Sequence, residues 1–274
     1  LRKRRPDYDT NVIPDWIERS NCYRQAHKNK KIDLKYGEDN RERLDLFSCA
    51  ESNSSVLVYL HGGYWQRGDK SMYSFLAEPF IQNNVSFAVI NYSLCPNVRI
   101  AEITPQIQKA LIWLWRNAQD LGFSKDHLFL MGHSAGGQLT SRMMATDWSK
   151  HTPDIPKDMI KAGIPISSLI ELEPLLHTSI NDGLNMSLEE ALAESPLNHP
   201  PATNAPQLVV VGGGETDEFH RQSDDYCEQI RTPLRIVERY SVPEADHFDE
   251  LNELANDKSQ FFKKVLALIK EQSK

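Results

Sequence analysis

The sequence predicts an α/β protein with a mostly parallel central sheet and helices on both faces. From residue 56 onward, short runs rich in β-branched residues alternate with amphipathic stretches, a pattern typical of parallel strands joined by crossover helices. The strands are predicted at 56–60, 85–90, 127–131, 160–166, 207–212 and 234–238. Residues 32–36 and 43–47 are expected to form an antiparallel pair that precedes them.

Helices are predicted between these strands. Ile103, Ile107, Leu111 and Leu114 recur at helical spacing. Four further stretches are compatible with helices, at 75–82, 138–146, 218–231 and 251–270. A chain of 274 residues with 40% apolar content can bury the core of a single domain spanning residues 1–274, and two domains are not required.

Two segments do not follow the alternation of strands and helices. These are residues 1–31 and residues 168–204, the second of which is rich in Pro, Asn and Leu. Long excursions of this kind in compact enzymes usually fold over the active site. We therefore expect both segments to be lids, with the alternative for residues 1–31 that they only cover an edge of the core.

Composition excludes several classes of function. The formal net charge of -7 at pH 7 leaves no excess of cations for a phosphate backbone, so nucleic acid is not an expected partner. The four cysteines are widely spaced and form no C-x-x-C pair, which argues against a zinc site and a disulfide framework. No metal and no cofactor are expected. The cysteines are Cys22, Cys49, Cys95 and Cys227.

The hydropathy pattern predicts a protein without a membrane span. No apolar stretch approaches the roughly 18 residues that a transmembrane helix needs, and no signal-peptide pattern opens the chain. The expected compartment is the cytoplasm, although a targeting segment removed before Leu1 would be compatible with the sequence. The expected partner is a small-molecule substrate, and a homodimer is compatible with the composition.

Ser134 is the candidate nucleophile. It lies in the sequence Gly132-His133-Ser134-Ala135-Gly136, after a predicted buried strand and before a helix-compatible stretch. A tight strand-turn-helix junction strains the backbone of the nucleophile, so small residues are needed two places before and after it. This is the nucleophile elbow of α/β-hydrolases, and the predicted fold is therefore the α/β-hydrolase fold. A motif this short also arises by chance, so it needs support from elsewhere.

That support comes from His61-Gly62-Gly63-Tyr64-Trp65, directly after the predicted strand 56–60. An α/β-hydrolase carries its oxyanion loop at this place. The predicted oxyanion hole comprises Gly62, Gly63, Tyr64 and Ala135, with the N–H groups of the last three as the expected donors. Tyr64 and Trp65 are candidate substrate-binding residues, and either is equally compatible with a core position.

The base and the acid of a catalytic triad follow in chain order after the nucleophile. His247 is the only histidine downstream of the last two predicted strands, and is the candidate base. Two carboxylates compete for the acid after the strand 207–212. Asp217 has the commoner residue type, whereas Glu215 lies nearer the strand end, and Asp217 can instead stabilise the start of the following helix.

Three motifs together resemble the kynurenine formamidases (arylformamidases), in the hormone-sensitive-lipase-like branch of α/β-hydrolases. They are His-Gly-Gly-Tyr-Trp-Gln at 61–66, Gly-His-Ser-Ala-Gly-Gly at 132–137 and Glu-Phe-His-Arg-Gln-Ser at 218–223. The resemblance extends from about Asp7 to the C-terminal helix. It implies that the acid is Glu215, although the animal formamidases place Asp at that position.

The resemblance implies metal-free hydrolysis of an N-formyl arylamine such as N-formylkynurenine, with kynurenine and formate as products. The residues are compatible with this chemistry, since a serine nucleophile and a histidine base cleave amides through an acyl-enzyme. One alternative is a carboxylesterase or amidase that acts on another small-acyl ester, amide or carbamate. A second alternative is a catalytically inactive α/β-hydrolase that serves as a binding protein.

Overall fold

One eight-stranded sheet forms the centre of the computed structural model, which describes residues 5–274. The strands are β1 (Lys30–Lys35), β2 (Arg43–Phe47), β3 (Ser54–Leu60), β4 (Val85–Ile90), β5 (Phe123–His133), β6 (Ile160–Ile166), β7 (Gln207–Gly212) and β8 (Val237–Val242). Their order is β1-β2-β4-β3-β5-β6-β7-β8. Strand β2 is antiparallel to both of its neighbours, and every other neighbouring pair is parallel. The predicted fold class is confirmed.

Ten α-helices surround the sheet in the described residues. They are α1 (Ile13–Ala26), α2 (Ala77–Ile81), α3 (Ile100–Arg116), α4 (Ala118–Leu121), α5 (Ala135–Met144), α6 (Asn181–Leu184), α7 (Leu188–Glu194), α8 (Asp217–Ile230), α9 (Asp249–Leu254) and α10 (Gln260–Gln272). Within residues 5–274, none of them is long and apolar enough to cross a membrane. Short 3₁₀ and π-helical turns connect several of these helices.

The central strands are buried on both faces because helices cover each side of the sheet. Side chains alternate along β3, so that Val58 joins the core cluster that contains the apolar face of α3. Its neighbour Tyr59 joins the opposite cluster, which contains Phe261 and Val265 of α10. This double burial explains why the strands read as continuous apolar runs rather than as an alternating pattern.

The strand register brings the candidate motifs to one edge of the sheet. Leu60 at the end of β3 pairs with Gly132 near the end of β5, and Gly132 pairs in turn with Pro165 of β6. The end of β7 is level with these residues, since Ile166 pairs with Val210. Loops that leave the carboxyl ends of neighbouring parallel strands converge, and ligands bind at such edges.

Three predicted elements need correction, of which the first is a strand. The strand predicted at 234–238 is Val237–Val242. The side chain of Arg235 turns inward and donates to the carbonyl oxygen of Thr203 at 2.7 Å, which holds the preceding turn away from the sheet. Leu234 and Ile236 are consequently 76% and 70% exposed, and pairing with β7 begins at Val237.

The helix predicted at 251–270 is two helices, α9 and α10. Ser259 separates them, because its Oγ accepts a hydrogen bond from the N–H of Phe262 at 3.0 Å and donates to the carbonyl oxygen of Glu253 at 2.6 Å. A serine in this capping position starts a new helix.

The helix predicted at 75–82 begins as a 3₁₀ turn at Lys70–Leu76 and continues as α2.

The two segments predicted as lids both contribute residues to the cleft that contains Ser134. In residues 5–31, α1 packs against the turn Lys70–Leu76, and its Trp16 lies 6.0 Å from the ring of Phe75. Trp16 is a core residue that also lines a cleft, which is compatible with both hypotheses for this segment. Residues 1–4 lie outside the described residues. In the second segment, Ile180 lines the same cleft.

Gly136 is required for the contact between β3 and the turn after β5. A Cβ added to it would lie 2.0 Å from the carbonyl oxygen of Leu60, and backbone atoms cannot move aside. We expect Gly136→Ala to lower the free energy of unfolding by about 3 kcal/mol, the upper range for overpacking, measured by urea denaturation. Gly163→Ala is the matched control, with an expected loss of about 1 kcal/mol, because the atoms near it belong to the flexible side chain of Met144. Equal losses would contradict this account.

Candidate active site

Ser134 lies at the sharp turn between β5 and α5. Its backbone has φ 58° and ψ -118°, a strained conformation that is typical of functional positions. The N–H of Ser134 donates to the carbonyl oxygen of Ile166 at 2.8 Å, which holds the turn against the end of β6. A Cβ on Gly132 would lie 2.1 Å from the carbonyl oxygen of Gly136, so the sequence requirement for small residues has a direct steric cause.

The loop after β3 packs against this turn. A Cβ on Gly62 would lie 2.9 Å from the carbonyl oxygen of His133 and 3.0 Å from Cβ of Ser134. Gly63 and Tyr64 have φ values of 118° and 53°, so the chain reverses sharply beside the serine. None of the loop and turn hydrogen bonds within residues 5–274 uses the backbone N–H of Gly63, Tyr64 or Ala135 as donor. These three groups therefore remain available to an oxyanion.

Trp65 does not reach the site, which corrects its prediction as a substrate-binding residue. Its side chain is fully buried in the core, where the indole N–H donates to Oε1 of Gln138 at 3.1 Å. Trp65 has a φ of 55°, so it lies in the same left-handed turn as Tyr64. Tyr64, in contrast, lines the cleft, and burial together with the charge of Glu215 raises the pKa of its phenol.

His247 and Glu215 form a buried pair. Nδ1 of His247 lies 2.9 Å from Oε1 of Glu215, and both side chains are almost inaccessible to solvent. Glu215 follows the glycine turn after β7, where the N–H of Gly214 donates to the carbonyl oxygen of Ala245 at 2.9 Å. Asp217 is exposed at the first turn of α8. Of the two competing carboxylates, the fold brings Glu215 to His247.

Two further contacts fix the loop that carries His247. Nε2 of His133 donates to the carbonyl oxygen of His247 at 2.8 Å. Burial and the neighbouring His247 hold the pKa of His133 well below its usual value, so this imidazole is neutral. On the outside, Arg5 forms ion pairs with Asp246 at 2.7 Å and with Asp249 at 2.9 Å. The position of His247 is therefore set from both sides of the loop.

His61, which begins the loop after β3, has a structural role. It is fully buried and stacks on Tyr92 with ring centroids 4.4 Å apart. Burial lowers its pKa to about 4, so the ring is neutral at pH 7. Its Nδ1 lies 2.8 Å from the carbonyl oxygen of Gly62, a contact that helps to hold the loop in its turn.

Ser134 and His247 open into one cleft of about 490 Å³. Five of its fourteen lining residues are Tyr, Trp or Phe, and they come from separate parts of the chain. The cleft is lined by Tyr8, Trp16, Gly62, Gly63, Tyr64, Gln66, Arg67, Tyr73, His133, Ser134, Ser179, Ile180, His247 and Phe248. Ala135 is buried at the start of α5 and is not among the lining residues.

Sequence reasoning missed several of these wall residues. Tyr8, Tyr73 and Arg67 carry no motif, and only the fold brings Tyr8 to within 4.4 Å of the ring of Phe248. The position of Phe248 near the site could have been inferred, since it directly follows the candidate base in the sequence. Arg67 directly follows the motif at 61–66, and its N–H donates to the carbonyl oxygen of Gly63, so its place beside this loop could have been inferred.

One group of described residues could supply metal ligands. His133, His247 and Glu250 each place a ligand atom within 4.8 Å of the others. Both imidazoles already use a ring nitrogen in a hydrogen bond, to a backbone carbonyl and to Glu215 respectively. Metal binding would compete with these contacts, and the absence of a metal from the reaction stays a prediction.

Comparisons with known proteins identify relatives of this chain. The BD-FAE family model matches residues 44–162. A kynurenine formamidase from Danio rerio is 30% identical over 245 residues, which cover 87% of this chain and 81% of that protein. A candidate thioesterase from Silicibacter sp. TM1040 has a crystal structure with a TM-score of 0.83 and 32% identity, covering 95% of this chain and 93% of that one.

An inhibited esterase B from Lactobacillus rhamnosis shares the fold, with a TM-score of 0.74 and 16% identity over 96% of this chain and 95% of that one. The relatives are hydrolases, and the elbow serine of this chain lies where such enzymes place their nucleophile. The chain is a serine hydrolase, and it belongs to the kynurenine formamidase family of α/β-hydrolases.

Proposed function

We propose that this protein is an arylformamidase that hydrolyses N-formylkynurenine to kynurenine and formate. The observation that carries the proposal is a cleft that joins Ser134 to the His247–Glu215 pair and is walled by aromatic rings. Membership of the kynurenine formamidase family supports the same substrate. The reaction belongs to tryptophan catabolism, and we propose the cytoplasm as its compartment.

In the proposed mechanism, Oγ of Ser134 attacks the formyl carbon while His247 takes its proton. The N–H groups of Gly63, Tyr64 and Ala135 receive the negative oxygen of the tetrahedral intermediate. His247 then protonates the departing arylamine, and a water molecule that it activates hydrolyses the formyl-serine ester. Glu215 holds the imidazole in one tautomer and stabilises its cationic form.

The cleft has features that suit this substrate beyond the reacting bond. Tyr8, Trp16, Tyr73 and Phe248 provide aromatic faces, which pack favourably against an aryl ring. Arg67 supplies a cation at the same cleft, while its neighbour Asp69 pairs with Arg41 at 3.6 Å. A guanidinium there can bind the carboxylate of the amino-acid side arm of N-formylkynurenine.

A carboxylesterase or thioesterase is the second candidate. One observation favours it, namely the similarity to the candidate thioesterase from Silicibacter at 32% identity over nearly the whole chain. The same serine, base and oxyanion donors cleave esters as well as amides. The acyl and leaving groups then decide between the two functions.

The first test compares kcat/KM for N-formylkynurenine and p-nitrophenyl acetate. We expect N-formylkynurenine to be the better substrate, because its ring and its carboxylate both find partners in the cleft. Ser134→Ala is expected to lose essentially all turnover of both substrates and all labelling by a fluorophosphonate probe. Ester turnover without detectable formamide turnover would favour the second candidate and contradict the first.

The second test concerns the acid of the triad. Glu215→Ala is expected to lower kcat by about 10⁴-fold, the size of effect seen when the acid of a serine triad is replaced. Asp217→Ala is the matched control and should change kcat by less than about threefold, because an exposed carboxylate at a helix start contributes only to local stability. Steady-state kinetics would show the opposite ranking if Asp217 were the acid.

The third test concerns Arg67. Replacing Arg67 with Met keeps the length of the aliphatic chain and removes the cation. We expect KM for N-formylkynurenine to rise by roughly 10-fold to 100-fold, since a hydrogen bond between charged groups contributes about 1.5–3 kcal/mol. Formanilide is the control substrate, because it is an aryl formamide without a carboxylate. An equal rise in KM for formanilide would show that Arg67 does not bind the carboxylate.

A further inference from the structure

A second buried carboxyl group lies beside the proposed triad. Glu250, on α9, is fully buried, and its Oε1 lies 2.7 Å from Oγ of Ser167. The same Oγ forms a short hydrogen bond to Oε1 of Glu215. Ser167 directly follows β6, where its N–H donates to the carbonyl oxygen of Val210 at 2.8 Å. One hydroxyl group therefore bridges two glutamate side chains that come from different parts of the fold.

The number of protons in this bridge is fixed by simple chemistry. A serine hydroxyl has one hydrogen and can donate to only one acceptor at a time. Since Oγ of Ser167 lies within hydrogen-bond distance of two carboxyl groups, it donates to one and accepts from the other. An ionised carboxylate cannot donate, so one of the two glutamates must carry a proton.

The contacts of each carboxyl group show which one is ionised. Oε1 of Glu215 also accepts the Nδ1–H of His247 at 2.9 Å, and two donors on one oxygen stabilise its negative charge. Oε2 of Glu215 and Oε2 of Glu250 both lack a hydrogen-bond partner in the described residues, so the two carboxyl groups differ in the donors that reach Oε1. Nε2 of His133 lies 3.4 Å from Oε2 of Glu250 but already donates to a backbone carbonyl.

The negatively charged groups around Glu250 also favour its protonated form. Burial comes first, and the negative charges of Glu215 and Asp246 add to it, so that the pKa of Glu250 lies well above its usual value. His133 offers no compensating positive charge, because its own pKa is strongly lowered by burial. The cation of Arg5 is already paired with Asp246 and Asp249.

We propose that Glu250 is a positioning residue of this hydrolase. In its protonated form it donates to Oγ of Ser167, and Ser167 donates to Oε1 of Glu215, which fixes that carboxylate against His247. This inference rests on the proposed role of Glu215 as the acid of the triad. The proton on Glu250 also leaves a single negative charge beside the imidazole, so that two buried carboxylates do not repel each other.

The backbone supports a dedicated role for Ser167. Its φ of 42° lies in the left-handed region, which is costly for a residue other than glycine. The strain is offset by the hydrogen bonds that Ser167 makes to both glutamates. Glu215 has one more rotatable bond than an aspartate would have, and a second anchor on its carboxylate limits the freedom that this bond adds.

The test compares Glu250→Ala with Glu250→Gln, using p-nitrophenyl acetate so that the outcome does not depend on formamide turnover. Glu250→Ala is expected to lower kcat by about tenfold or more with little change in KM, as is typical when a group that orients a catalytic residue is removed. Glu250→Gln is expected to recover most of this loss, because a neutral amide can still donate to Ser167. Glu253→Gln is the control for charge removal on the same helix. Thermal unfolding of each variant separates loss of fold from loss of positioning.

Ser167 has a matched control in the next residue. Ser167→Ala breaks the bridge and is expected to lower kcat by about tenfold. Ser168 is equally buried, and its Oγ has no hydrogen-bond partner within residues 5–274, so Ser168→Ala should change kcat little. Equal effects of the two substitutions, or no effect of either, would overturn the proposed bridge.

Two readouts report the proton itself. Infrared difference spectra at pH 8 are expected to show the carbonyl band of an un-ionised carboxyl group in the parent protein, and Glu250→Gln should abolish it. The acidic limb of the profile of kcat/KM against pH should stay in place in Glu250→Gln, because a neutral group replaces a neutral group. If Glu250 were ionised, its removal would shift this limb to lower pH by about one unit or more, and the band would be absent. The band does not require turnover, so it tests Glu250 even if the proposed substrate is wrong.

Discussion

The site depends on one close contact, in which the turn after β5 rests directly on the end of β3. Gly136 makes the contact possible, since its backbone lies against the carbonyl group of Leu60 with no room for a side chain. The contact places the strained backbone of Ser134 beside the loop Gly62–Tyr64. The loop that carries the proposed oxyanion donors consequently lies against the proposed nucleophile, which is the preorganisation that an oxyanion site needs.

Much of the fold was predictable from the sequence because the signals are local. Apolar runs between amphipathic stretches specify a doubly covered sheet, and the chain order of Ser134, Glu215 and His247 follows from that topology. Of the boundaries that failed, one was decided by a distant partner and another by a local cap. Arg235 binds a carbonyl group in the loop before β7, which delays β8, and the capping serine at 259 interrupts a pattern that would otherwise read as one helix.

The residues that line the cleft were less predictable from the sequence than Ser134 and His247. Trp65 and Tyr64 are neighbours in a single loop, yet one ring is buried in the core and the other lines the cleft. Both residues have a positive φ, 53° and 55°, and sequence patterns do not reveal that a left-handed turn at this point sends successive side chains to different sides. Tyr8 and Tyr73 reach the cleft only because α1 packs on the turn before α2, a contact that no local motif encodes.

The buried carboxyl groups show why charge alone is a poor guide to function in a sequence. Glu250 reads as one more polar residue at the start of a helix, where acidic side chains are common on the surface. It is instead fully buried beside the carboxyl group of Glu215, and such surroundings favour the neutral form of a carboxyl group. A proton on Glu250 converts a repulsive neighbour of Glu215 into a hydrogen-bond donor through Ser167. The proposed acid of the triad and its proposed support therefore depend on the same packing, which buries both carboxyl groups.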